Sequence, residues 1–271
     1  MQQIIRDVPI FYEACGEGLP IIFMHGSPND HKVMLNSFEP IFADKPGWQR
    51  IYVDLPGMGQ TPGADWIQGN EDVINLMGEF LDAIAPGQDF VVVGFSYGGF
   101  LARALAYLYN ERCRGMMLLA PSVFPAGQRT LPEANIIVKN PDLFADVPEQ
   151  IRVIFERAIA VQTEYVARRS KEDILPAILG ADYQFLARLR STLSYQDEMN
   201  AKGFDKPGLF LLGRQDVVTG YEDPMALHKV YPRTSIVVLD RCGHGPLLDQ
   251  KDLFEVLTAE WLFRVEEALE F

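Results

Sequence analysis

The apolar run Phe90-Val91-Val92-Val93 breaks into Gly94-Phe95-Ser96-Tyr97-Gly98-Gly99, and a helical pattern then runs from Phe100 to Tyr109. A strand, a tight turn and a helix in so few residues narrow the choice of architecture. A buried strand that feeds straight into a helix is the building unit of a parallel sheet covered by helices. The turn is constrained as well. A serine held clear of the backbone at so sharp a bend needs small neighbours, and Gly94 and Gly98 supply them. Ser96 is therefore a candidate nucleophile.

Similar units recur along the chain. Short apolar runs at Pro20 to Met24, Arg50 to Val53, Met116 to Leu119, Leu209 to Leu212 and Ile236 to Leu239 read as further buried strands. Val73, Leu76, Met77, Phe80, Leu81 and Ile84 have the spacing of one apolar helix face. The alternation stops after Ala120 and resumes near Pro207, so the chain divides into a core of residues 1–121 and 206–271 and an inserted helical cap of residues 122–205. Gln150 to Ala167 is its clearest helical stretch. Its aromatics, Phe124, Phe144, Phe155, Tyr165, Tyr183 and Phe185, are expected mainly to pack the cap onto the core, with a minority lining a pocket. Asp249 to Phe271, with Leu253, Val256, Leu257, Trp261 and Val265 as its apolar positions, reads as a packed terminal helix.

A serine hydroxyl needs a base to take its proton. Of four histidines, His244 stands out. It follows the last apolar strand in Arg241-Cys242-Gly243-His244-Gly245-Pro246, where the glycines allow a loop to come close to Ser96. His25 lies in a tight turn, His31 in a polar loop and His228 in a surface helix. The base in turn needs a carboxylate to fix its tautomer. Asp216, after the strand 209–212, gives the order Ser, Asp, His. Asp240 lies only four residues before His244, and the turn after strand 116–119 reads Ala120-Pro121-Ser122, without a carboxylate. Charge on a tetrahedral intermediate calls for amide donors. Tyr97 N–H, next to the nucleophile, is one candidate. Ser27 in His25-Gly26-Ser27-Pro28 is the other, since Pro28 has no N–H.

The balance of 24 Lys and Arg against 37 Asp and Glu, a net charge of −13, opposes binding to nucleic acid or anionic membrane. Three separated cysteines, Cys15, Cys113 and Cys242, suggest no disulfide framework and favour a reducing cytoplasm. Cys242 reads as a buried, inert thiol. The first residues lack the features of a signal peptide, and no stretch is a membrane span. Asp54 to Thr61 is a Gly and Pro turn without phosphate-loop spacing. No metal-ligand cluster or dinucleotide fingerprint is present, so no metal and no cofactor are expected.

Four motifs in order, His25 to Pro28, Asp54 to Thr61, Gly94 to Gly98, and Asp216 with His244, resemble the α/β-hydrolase superfamily throughout the core. The resemblance implies an α/β fold, a mostly parallel eight-stranded sheet flanked by helices with a helical cap after strand 6. It also implies a serine hydrolase that cleaves a small carboxylic ester or related acyl compound through an acyl-Ser96 intermediate. Serine at position 96 argues against epoxide hydrolases and haloalkane dehalogenases, which resemble the same fold but carry aspartate there. An aminopeptidase of the proline iminopeptidase type, a carbon-carbon bond hydrolase and a small-molecule receptor that keeps the fold remain as alternatives. Glu149, Glu156 or Glu164 would be the amine-binding acids in the first of these. A small-molecule substrate is the expected partner, acting on a monomer or homodimer.

Overall fold

The computed structural model describes residues 1–189 and 196–270. Eight strands form one sheet in the order β1-β2-β4-β3-β5-β6-β7-β8. They are β1 (Gln2–Ile5), β2 (Val8–Cys15), β3 (Leu19–Met24), β4 (Trp48–Val53), β5 (Phe90–Phe95), β6 (Cys113–Leu119), β7 (Gly208–Gly213) and β8 (Thr234–Leu239). β1 and β2 pair antiparallel, as do β2 and β4, and every other pair is parallel. The expected sheet is thus present. Its interior parallel strands β3, β5, β6 and β7 are buried on both faces, which explains their continuous apolar sequence, while β8 at the edge is mostly half-buried. Ile22, Met24, Val92, Phe210 and Leu212 join one core cluster. Their neighbours Ile21, Phe23, Val91, Val93, Leu209 and Leu211 join the other, on the opposite face.

The helices of the core are α1 (Lys32–Phe42), α2 (Asn70–Ile84), α3 (Tyr97–Leu108), α9 (Glu222–Ala226), α10 (Pro246–Asp249) and α11 (Lys251–Glu270). Between β6 and β7 come α4 (Glu149–Ala158), α5 (Glu164–Arg169), α6 (Leu175–Gly180), α7 (Tyr183–Leu189) and α8 (Gln196–Lys202), with a π-helical stretch, Ser170–Ile174, joining α5 to α6. The single helix expected over 150–167 is two helices. Ile159 to Thr163 interrupt it, with Val138 and Val161 pairing as an isolated bridge and Thr163 capping α5. Residues 190–195 of the segment 122–205, and Phe271 at the end of the terminal helix, lie outside the described residues.

In α11 the helix is as expected, but two of its assigned core positions are not. Leu253 and Val256 are exposed, while Phe254, Thr258, Trp261, Leu262 and Val265 are buried. The buried set has its own i, i+4, i+7, i+8, i+11 spacing and keeps Trp261 and Val265, so the period is right and the misassigned positions lie in the first half of the helix.

β3 lies between β4 and β5: the chain runs from β3 to β4 on one side and then crosses over to β5 on the other. At such a switch point the loops leaving neighbouring strands part and open a crevice beyond their carboxyl ends. Met24 pairs with Gly94, which sets His25 to Ser27 beside Phe95 to Tyr97. Close approach there depends on glycine. A Cβ on Gly98 would strike the carbonyl groups of Met24 and His25, and one on Gly94 would strike Gly98 and Gly99. Backbone carbonyls cannot swing aside. Gly98→Ala is therefore expected to lower stability by about 1–3 kcal/mol, measured as a lower denaturant midpoint, and to cost activity as the two loops are forced apart.

Candidate active site

Ser96 sits between β5 and α3 with φ 53° and ψ −112°, a left-handed backbone conformation that L residues rarely adopt. The strain is held by its surroundings. Ser96 N–H donates to Leu119 O at 2.9 Å, while Ser96 O accepts from Gly99 N and Ser122 N at 3.0 and 2.9 Å.

The loop after β8 brings His244 Nε2 to 3.0 Å from Ser96 Oγ. His244 Nδ1 lies 3.0 Å from Asp216 Oδ2. An ionised Asp216 can only accept, so Nδ1 carries the proton and Nε2 presents its lone pair to the serine. Asp216 is fully buried. Its Oδ1 accepts Val218 N and Thr219 N at 2.8 and 3.1 Å, and its Oδ2 also lies 2.6 Å from Thr219 Oγ1. Burial alone would raise this carboxyl's pKa, but His244 and the Thr219 bonds outweigh it and hold it below the usual carboxylate value. The three residues singled out in the sequence are thus hydrogen-bonded in one chain. Ser27 and Tyr97 line a cavity together with Ser96.

The alternatives for these positions are engaged elsewhere. His25 donates from Nδ1 to Gly26 O at 2.8 Å and accepts Leu55 N at Nε2, 3.0 Å, so both ring nitrogens serve the backbone. His31, in the loop before α1, is buried, with Nδ1 2.8 Å from Asp54 Oδ1. Asp54 Oδ2 accepts Gln60 N at 2.8 Å, so this carboxylate ties the Gly and Pro turn to the loop after β3. Asp240 accepts from Gln215 at the surface, 3.0 Å away. Cys242 is buried, and desolvation pushes its thiol pKa well above the ordinary value. Among the described residues no cluster of His, Cys and carboxylates could hold a metal ion.

Two cavities open on Ser96, and Ser27 and Val218 line both. The first, about 140 Å³, is apolar: Val33, Phe155, Ile159, Ile174, Ile178 and Leu247 form much of its wall. Of the six aromatics singled out between Phe124 and Phe185 only Phe155 lines it, while Phe144 and Phe185 are buried in the core clusters. The second, about 300 Å³, is more polar and holds Ser122 and Arg129. Glu149, Glu156 and Glu164 line neither.

Sequence reasoning missed Thr219, Arg129 and Asp249. Only the spacing Asp216-x-x-Thr219 hinted at the first, as a carboxylate that accepts from amides two and three residues on. Asp249 Oδ2 accepts Gly243 N at 2.7 Å and Ala160 N at 3.0 Å, while its buried Oδ1 has no hydrogen-bond partner. Desolvation raises this carboxyl to about 7. In the unfolded chain its pKa would be about 3.9. The folded state therefore holds the proton more tightly, and the stabilisation is fully present below about pH 4. It declines as the pH rises towards about 7 and then levels off, an effect of up to about 4 kcal/mol. Asp249→Asn is expected to remove this component. Urea unfolding at about pH 5 and about pH 8 should show a smaller stability difference in the variant than in the wild type.

The strand order and the Ser, His and carboxylate chain at the carboxyl ends of the strands define the class as a hydrolase of the doubly wound α/β type. The model of the alpha/beta hydrolase family matches residues 21–256, and the chain belongs to that family. It is 26% identical over 249 residues to a pimeloyl-[acyl-carrier protein] methyl ester esterase of Legionella pneumophila, covering 91% of this chain and 96% of the relative. A solved α/β superfamily hydrolase from Oenococcus oeni superposes with a TM-score of 0.90 at 24% identity, covering 98% of this chain and 99% of that one. An esterase from Exiguobacterium antarcticum superposes with a TM-score of 0.73 at 19% identity, covering 96% and 97% of the two chains.

Proposed function

We propose that the protein hydrolyses a small carboxylic ester through an acyl intermediate on Ser96. The observation that carries this reading is the position of His244, 3.0 Å from both Ser96 Oγ and Asp216 Oδ2. His244 Nε2 takes the hydroxyl proton as Oγ bonds to the ester carbonyl carbon. The amides of Ser27 and Tyr97 receive the developing oxyanion. Collapse of the intermediate breaks the bond to the alcohol oxygen, which leaves with the proton from His244. Water then repeats the sequence on the acyl-enzyme and frees the carboxylic acid. Asp216 orients the imidazole and stabilises its protonated form.

The curated relatives named as methyl ester esterases support ester cleavage, and the positions of Glu149, Glu156 and Glu164 away from both cavities weigh against those acids as an amine-binding site. Residues 122–205 act as the cap, since Phe155, Ile159, Ile174 and Ile178 wall the apolar cavity. The protein works as a monomer or homodimer in the cytoplasm. Free Cys15, Cys113 and Cys242 suit a reducing compartment, and no helix among the described residues is long and apolar enough to cross a membrane.

The test is labelling by a fluorophosphonate probe together with turnover of p-nitrophenyl esters of graded acyl length. Wild-type protein is expected to label and to hydrolyse short esters, and Ser96→Ala to do neither. A folded wild-type protein that does not label would overturn the reading.

A further inference from the structure

Arg129 is the one charged side chain among the described residues lining the larger cavity at Ser96. Its guanidinium is held in place: Nε donates to Phe124 O at 2.9 Å, Nη1 to Val218 O at 2.8 Å, and Nη2 reaches Ser122 Oγ at 3.4 Å. Ser122 N–H in turn donates to Ser96 O at 2.9 Å, so the cation stands one bonded residue away from the nucleophile. A guanidinium has five N–H groups, and three are accounted for by these contacts. None goes to a carboxylate. Desolvation pulls the pKa of Arg129 down, with Asp216 and Asp223 opposing at longer range, yet an arginine stays protonated throughout the working range.

A cation that is partly withdrawn from water and pinned by neutral oxygens, with no carboxylate among the described residues in ion-pair contact, carries a desolvation cost that an anion in the cavity would offset. The planar fork with open N–H groups matches the two oxygens of a carboxylate. The adjoining limb is apolar, formed by Val33, Phe155, Ile159, Ile174 and Ile178. We infer that Arg129 and Ser122 bind a free carboxylate on the substrate, which makes the preferred substrate a monoester of a dicarboxylic acid, or an ester otherwise bearing a carboxylate on the arm in the polar limb. This rests on the esterase reading of Ser96 and refines it. The competing role for Arg129 is a brace, because its bond to Val218 O reaches the loop whose Val218 N–H holds Asp216.

Matched substrates separate the two roles. Monomethyl and dimethyl glutarate differ in one charge, and a brace cannot tell them apart. Wild-type kcat/KM is expected to favour the monoester. In Arg129→Gln the ratio of monoester to diester kcat/KM should fall about 10- to 100-fold, mainly through KM, with Arg129→Lys in between. A parallel loss on both substrates would make Arg129 a brace and overturn the inference, as would a wild-type enzyme indifferent to the charge. Binding is also measured without turnover. In the Ser96→Ala background monomethyl glutarate should raise Tm and dimethyl glutarate should not, and adding Arg129→Gln should abolish the rise. Failure of fluorophosphonate labelling with this shift intact would sink the esterase reading alone. Labelling without any such shift would sink the carboxylate site alone.

Discussion

Asp216→Asn is expected to lower kcat by roughly four orders of magnitude while leaving the protein folded. The direction follows from the bonds around the carboxylate. Oδ1 accepts two backbone N–H groups, from Val218 and Thr219, so an amide at this position must keep its oxygen there. Its NH2 then takes the place of Oδ2 and faces His244 Nδ1, which is 3.0 Å from that atom in the wild type. Two donors cannot share a hydrogen bond, so the imidazole moves its proton to Nε2. Nε2 is the atom beside Ser96 Oγ, and once protonated it can no longer take the serine proton. Fluorophosphonate labelling should slow in step with ester turnover, with circular dichroism unchanged. A variant that labels at the wild-type rate would show that Asp216 does not set the tautomer.

The second large effect is on stability. Trp261 is fully buried on α11 in the cluster with Leu209, Leu211, Met117 and Val265. Its Nε1 donates to Pro207 O at 3.1 Å, just before β7, and its ring edge stands near Gly115 of β6. Trp261→Ala would leave a cavity between the terminal helix and the sheet, at an expected cost of about 3–5 kcal/mol. Pro207 O still accepts Met116 N at 3.2 Å, so the carbonyl is not stranded and the loss is chiefly one of packing. The denaturant midpoint should fall with little change in slope. A loss below 1 kcal/mol would mean that the middle of α11 packs far less tightly than its burial indicates.

The parts of the fold legible in the sequence are those whose signal is local. β5, the turn at Ser96 and α3 announce themselves because one strand, two glycines and one helix face are contiguous. The interior strands show as unbroken apolar runs because both faces of the sheet are covered. β1 and β2 at the sheet edge, with exposed and half-buried residues mixed along them, do not show in that way. The break at Ile159 to Thr163 escaped because the apolar spacing continues across it, and nothing there carries a helix-ending glycine or proline. In the candidate site, the residues that the structure joins by hydrogen bonds, Ser96, Asp216 and His244, could be picked out from strand ends and chain order. Arg129 and Asp249 could not, since each is set in place by a partner far away in sequence: Val218 in one case, Ala160 in the other.

The His244 loop is bonded to the stretch that joins α4 to α5. His244 N–H donates to Ala158 O at 2.7 Å, Asp249 bridges Gly243 N and Ala160 N, and a Cβ on Gly243 would collide with Ala158 O. The junction between α4 and α5 is therefore a moulded seat for the histidine loop as well as a wall of the cavity. Exchanging this region for that of another family member, as a route to new substrates, would carry the seat away with the wall. A chimera that keeps residues 158–160 and varies only the apolar positions lining the cavity is expected to keep the His244 loop seated, whereas one cut further towards β6 must also bring the donor's histidine loop.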